Sequence, residues 1–290
     1  MSNLKNFIPP QSEKTNPQKD MGDCFLGFSS VSLEETNRLA QMLTRVDNKY
    51  VMHFKQFSTF VNKVQSNYAV LDIDGRQQFS YASCYYDDDF GCYFDHHQGR
   101  RLRFKVRTRE YVNTGSVYFE IKLKGPRGVT NKHRIKCDSL ISPRVEGCNL
   151  DMLNEIYSKS YKKEMPYHLR PALMVTYKRC TLVALQGGER VTVDYALGFA
   201  PPDDENAQVR INNNFIIVET KSSNGKGFAD TTLAQLKIRK ASKCSKYCIG
   251  VNLTKCVSKN NYFLPTLKRV RSNIETDIAP PTISEQRIAV

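Results

Sequence analysis

Arg101-Leu102-Arg103-Phe104-Lys105-Val106-Arg107-Thr108-Arg109 decides how this chain is read. A strand points alternate side chains to opposite faces. On that pattern Arg101, Arg103, Lys105, Arg107 and Arg109 share one face, and Leu102, Phe104, Val106 and Thr108 share the other. Five cations in line repel one another unless water or an anion compensates them. One such strand by itself reads as the solvated face of an antiparallel sheet. Other stretches repeat the pattern, and that changes the reading.

Downstream, residues 116–124 read as a strand with Glu120, Lys122 and Lys124 opposite Phe119, Ile121 and Leu123. Gly125-Pro126-Arg127-Gly128 is a turn signal, and Lys132, Arg134 and Lys136 align on a short strand after it. A helix over 149–160, capped by Asn149, precedes a long strand over 170–185 on which Tyr177 and Arg179 share a face. Strands over 189–197 and 214–222 align Arg190, Thr192 and Asp194, then Glu219 and Lys221. A helix over 229–239 follows. Upstream, Ser32 and Glu35 form a capping box for a helix to about residue 43. A strand over 45–51 aligns Arg45, Asp47 and Lys49, and Phe57, Phe60, Val61 and Val64 stripe a helix over 55–65. Two more strands cover 68–73 and 79–86. Asp87-Asp88-Asp89 reads as a solvated turn, since no calcium-loop pattern follows. His96-His97 reads as a loop, and Arg190 with Asp194 as a structural ion pair.

The 290 residues carry a net charge of +14, which implies a polyanionic partner. The nine cysteines form no C-x-x-C pair and read as reduced thiols of a cytoplasmic protein. No apolar run is long enough to cross a bilayer, and the polar start does not resemble a signal peptide. Residues 1–22 read as a disordered lead-in, 23–258 as the folded domain, and 259–290 as a tail with one short helix.

Cations recur on strand after strand opposite an aliphatic row. The fold class expected is therefore α+β: a closed antiparallel β-barrel, or tunnel, of about eight strands with helices packed outside. Such an interior costs too much to leave dry and unpaired, so it should hold water and a chain of phosphates. Its few carboxylates suit a divalent cation, Mn or Mg, shared with phosphate oxygens.

The ordered set Arg45-x-Asp47-x-Lys49-Tyr50, Lys105-Val106-Arg107-x-Arg109-x-Tyr111, Glu120-x-Lys122, Tyr177-x-Arg179, Arg190-x-Thr192-x-Asp194, Glu219-x-Lys221 and Ser245-Lys246-Tyr247-x-x-Gly250 resembles a known family. It is similar to the polyphosphate polymerase domain of the vacuolar transporter chaperone complex and its bacterial relatives, within the triphosphate tunnel metalloenzymes. The wider superfamily often opens its first strand with Glu-x-Glu-x-Lys. Here those positions are Arg45, Asp47 and Lys49, which favours the polymerase-like branch. The resemblance implies a metal-dependent phosphotransferase that moves the terminal phosphoryl group of a nucleoside triphosphate onto polyphosphate. It implies catalytic roles for Arg107, Arg109, Lys122, Arg179 and Lys246. It implies substrate binding by Lys49, Arg45, Lys105, Lys221, Lys243 and Ser245, and a metal ligand in Glu219. The alternatives are a triphosphatase, with water as acceptor, and a non-catalytic polyphosphate-binding module. No stacking motif or zinc knuckle points to RNA as a specific partner.

Overall fold

The structure, a computed structural model, describes residues 21–40, 45–125 and 130–275. In chain order its elements are β1 (Ser29–Val31), α1 (Leu33–Leu39), β2 (Val46–His53), α2 (Phe54–Val64), β3 (Tyr68–Leu71), β4 (Phe79–Asp87), α3 (Gly91–His97), β5 (Arg103–Tyr111), β6 (Ser116–Lys124) and β7 (Thr130–Cys137). Then come α4 (Gly147–Tyr161), β8 (Arg170–Ala184), β9 (Arg190–Ala200), β10 (Val209–Arg210), β11 (Phe215–Ser222), α5 (Phe228–Gln235), α6 (Lys246–Leu253) and α7 (Leu264–Arg271). The basic stretch is β5, but Arg101 lies outside the strand and is exposed, so four of its five cations share the face.

The strands form one sheet in the order β2-β11-β9-β8-β4-β5-β6-β7, antiparallel at every step. β3 pairs with the far end of β8 and with β1, and β10 pairs with β9. The expected closure is not what the ladder shows: it ends at β2 and β7, and among the described residues these do not pair. β7 explains this. Asn131, Lys132, His133 and Arg134 are all exposed, and its apolar residues Ile135 and Cys137 pack on the α4 side, so no apolar burial draws the strand onto β2.

Outside the sheet, α2 buries Phe57, Phe60, Val61 and Val64 beside Ile216 and Val218 of β11. Each such side chain contributes about 2 kcal/mol of burial. His53 caps α2 by accepting the Lys55 N–H at 3.4 Å. On the same outer side, Leu153 and Tyr157 of α4 join Phe104, Val106, Phe119 and Ile121 of β5 and β6.

The opposite, concave side holds α6, an element the sequence did not announce. Ile249 and Val251 of α6 and Leu267 and Val270 of α7 pack on Val51, Leu173, Val175, Phe199 and Ile217. Gly250 permits this approach: a Cβ there would meet Leu173 Cδ2 at 2.5 Å and overlap the Phe199 ring. Ser245 caps α6, its Oγ accepting the Cys248 N–H at 3.4 Å.

Other expectations change. Asp87 is no solvated turn residue. It is 3% exposed and accepts the N–H groups of Cys92 at 2.8 Å and Tyr93 at 3.0 Å, tying down the start of α3. His96 and His97 therefore sit on a helix rather than a loop. α4 starts two residues before Asn149, with Glu146 as its cap residue. α1 ends at Leu39, and residues 41–44 lie outside the described residues, as does the turn at 126–128. The disorder expected for 1–22 falls outside them too, except that Met21 and Gly22 begin a 3-10 helix, Met21–Phe25, in which Met21 is buried. Of the tail, Leu264–Arg271 is helical and 276–290 is not described.

Candidate active site

Register decides what the concave face presents. Lys49 of β2 pairs with Glu219 of β11, and Glu219 with Thr192 of β9. Asp194 of β9 pairs with Arg179 of β8, while Arg107 of β5 pairs with Tyr85 of β4 and with Glu120 of β6. Lys105 pairs with Lys122, and Lys122 with Lys132 of β7. Alternation does the rest: each of these side chains shares a face with the apolar residues that hold α6.

Three carboxylates organise the cations. Glu120, 3% exposed, accepts Arg107 and Lys132 at 2.5 Å each and lies 4.0 Å from Arg109. Asp194, fully buried, takes the Arg179 fork at 2.6 and 2.8 Å and also pairs with Lys246. Glu219 lies 3.1 Å from Lys221 and 4.0 Å from Lys49. Burial alone would raise all three carboxyls. The cations overcome it and hold each well below the usual carboxylate range, Arg107 leading at Glu120, Arg179 at Asp194 and Lys221 at Glu219.

The cations outnumber these carboxylates. Lys105 has a hydroxyl partner, Ser245 Oγ at 2.7 Å. Lys122 has no ion-pair partner among the described residues and is exposed to water. Burial, then Lys49, pushes its ammonium pKa down, against the pull of Glu219 and Asp47. The start of α6 reaches Lys105 of β5 through Ser245 and Asp194 of β9 through Lys246, so the open sheet curls around one chamber. Nine cations (Lys49, Lys105, Arg107, Arg109, Lys122, Lys132, Arg179, Lys221 and Lys246) border it with three carboxylates.

α6 enters this chamber N-terminus first. Ser245 touches Lys105, and Lys246 touches Asp194 and lies 4.5 Å from the Tyr177 ring centre. Tyr247 behind them stacks on Tyr85 at 5.1 Å and donates to Asp87. The short motif at 245–250 is therefore a helix start that carries two polar residues into the cations and a glycine that seats the helix.

The structure brings together Lys49, Lys105, Arg107, Arg109, Lys122, Arg179, Glu219, Lys221, Ser245 and Lys246 from the residues singled out in the sequence. It does not bring in Arg45, which is exposed and pairs with Asp47 at 3.0 Å, or Lys243, whose ammonium lies 3.3 Å from the Tyr262 ring centre. Arg190 does not pair with Asp194; it donates to the Thr36 carbonyl at 3.1 Å. Glu120 pairs with Arg107, its register partner on β5, and with Lys132, a diagonal neighbour on β7 whose own register partner is Lys122. Sequence reasoning missed Tyr85, whose hydroxyl accepts from Arg107 at 2.8 Å. Burial would push this phenol up, yet Arg107, Arg109, Lys105 and Lys246 bring it down to about 8. Its place in the 79–86 strand at the parity of Tyr81 was the available signal.

A family model described as the VTC domain matches residues 44–255. The chain belongs to the VTC domain family. The match spans the curled sheet from just before β2 to just past α6, so every residue of the chamber lies inside the VTC domain. A search of curated proteins found no match. Among solved structures, a candidate adenylate cyclase from Bacillus halodurans aligns with a TM-score of 0.44 and 12% identity over 70% of this chain and 95% of its own. A candidate adenylyl cyclase from Hippeastrum, described as having a dominant triphosphatase activity, aligns with a TM-score of 0.40 and 10% identity over 72% and 96%. Likenesses this distant carry nothing across to this VTC domain.

The donor set also tests for a metal. No group of three His, Cys, Asp or Glu side chains able to hold an ion occurs among the described residues. Glu219 has one lysine beside each oxygen, Lys221 at Oε1 and Lys49 at Oε2, and takes no arginine fork. That fits a magnesium-type ion, which takes one or two carboxylates and completes its shell with phosphate oxygens and water.

Proposed function

We propose that the chain is a metal-dependent polyphosphate polymerase, transferring the terminal phosphoryl group of a nucleoside triphosphate to a polyphosphate chain in this chamber. The observation that supports it is the excess of cations over carboxylates on one concave face. The three carboxylates keep the cations in place while leaving donors free. Arg107, Arg109 and Arg179 grip phosphate oxygens with their forks, and Lys49, Lys105, Lys122, Lys221 and Lys246 add point charges. Phosphoryl transfer needs positioning and charge neutralisation rather than a side-chain nucleophile, and the chamber offers both. Glu219, with phosphate oxygens, would hold the divalent ion, which neutralises developing charge. The domain limits, 23–258 for this activity, belong to the same proposal. No helix among the described residues is long and apolar enough to cross a membrane.

One observation favours the triphosphatase reading: α6 and α7 fill part of the concave face with apolar side chains, which shortens the path for a long polymer. Incubation with ATP and Mn or Mg separates the readings. Long-chain product supports the polymerase, free phosphate alone supports the triphosphatase, and neither at saturating metal leaves a binding module.

A further inference from the structure

We propose that the rim of the chamber at the β5–β6 hairpin end binds the base of a nucleoside triphosphate by stacking. The inference rests on the proposed phosphoryl transfer and specifies its substrate. Tyr81 of β4 is the register partner of both Tyr177 of β8 and Tyr111 of β5. The Tyr81 and Tyr177 rings stack at 5.2 Å and 4°. Tyr111 tilts against Tyr81 at 5.1 Å, and Tyr118 of β6 meets Tyr111 edge-on at 5.7 Å. Four rings thus form a ladder across four strands. Tyr111 ends β5 and Tyr81 lies near the start of β4, so the ladder sits at the β5–β6 hairpin end, whereas Tyr247 of α6 bonds to Asp87 at the other end of β4.

Two observations join the ladder to the phosphate chamber. Arg109 and Arg179 each stand 5.3–5.8 Å from the centres of both the Tyr81 and Tyr177 rings, so the ladder begins where the arginine forks end. The Tyr177 hydroxyl is buried without a hydrogen-bond partner among the described residues, leaving it for a ligand oxygen. Tyr81, Tyr111 and Tyr118 are only half-buried. A nucleoside triphosphate has the matching order: charged phosphates, ribose hydroxyls, then a flat base. Aromatic rings stack on any base, and the ladder carries no amide or carboxylate to read a base edge. The site therefore prefers purines to pyrimidines by ring size and barely separates adenine from guanine.

The competing role is mechanical, with the tyrosines only holding Arg109 and Arg179. Calorimetry on the full chain with a non-hydrolysable ATP analogue and with tripolyphosphate separates the two. Tyr111→Ala is expected to weaken the analogue about tenfold while changing tripolyphosphate by less than about twofold, and Tyr111→Phe to restore both. Tyr118→Leu gives the same readout one rung along if Tyr111→Ala does not fold. Equal loss for both ligands, or loss for neither, overturns the stacking site. A wild-type chain that binds neither ligand overturns the proposed function as well. Tripolyphosphate binding with no base-dependent effect overturns this inference alone.

Discussion

Glu120 holds two cations at contact distance and a third at 4.0 Å while nearly excluded from water. Glu120→Gln removes the charge and keeps the shape, leaving Arg107, Lys132 and Arg109 to repel one another. The expected loss in phosphate-free buffer is about 3 kcal/mol, the cost of breaking a buried pair from one side. Added tripolyphosphate should recover part of it. Denaturant unfolding with and without the ligand measures both; equal stability of variant and wild type would mean the pairs carry no weight. The pH sign follows from the same contacts. Glu120 and Asp194 have folded pKa values below their unfolded values of about 4, so their stabilisation is full above that pH and is lost as pH falls below it. Tyr85 behaves as an acid with a lowered pKa, so its contribution grows as pH rises through about 8. Ultraviolet titration should show a tyrosinate step near pH 8 that Tyr85→Phe abolishes and tripolyphosphate moves upward. At Glu219 the outcome separates metal from charge balance. With Lys221 at 3.1 Å, Glu219→Gln frees a cation and should hold or tighten tripolyphosphate binding without metal. A loss of metal-dependent turnover by orders of magnitude would mark a metal ligand, and near-normal turnover would remove Glu219 from that role.

Among the elements, α6 couples packing to the site. Its Gly250 lies on Phe199 and Leu173, and its first turn carries Ser245 and Lys246 to Lys105 and Asp194. Gly250→Ala must push the helix off the sheet. The expected cost is about 2 kcal/mol of stability, typical of overpacking, together with a loss of tripolyphosphate affinity because both polar residues shift. Thermal unfolding paired with calorimetry tests the coupling: lost stability with unchanged affinity would show that α6 is a floor and nothing more. The chain hides this helix well. Residues 246–253 are nearly all buried on every side, so they lack the one-sided apolar stripe by which α2 could be recognised.

For the molecule as a whole, the chamber's cations repel when empty, and a phosphate-rich ligand bound only by the folded state adds stability by mass action. The melting temperature should rise with millimolar tripolyphosphate at low salt, and the rise should shrink as salt screens the chamber. An unchanged melting temperature would count against the chamber as a phosphate site.

The amino-acid sequence by itself determined which residues face each other's side of the sheet. Period-two alternation is local, so Lys105, Arg107, Glu120, Lys122, Arg179, Glu219 and Lys221 could be placed on one charged face from their spacing, and helices such as α2 from theirs. Partnership was not local. Glu120 facing Arg107, and Asp194 facing Arg179 instead of Arg190, follow from strand register, while Lys132 reaches Glu120 diagonally and Lys246 reaches Asp194 from α6. Register depends on which strands the ladder joins. Openness between β2 and β7, the entry of α6 into the concave side and the tyrosine ladder at its rim were decided only by tertiary packing, where burial of apolar area chooses among arrangements that the same alternation allows.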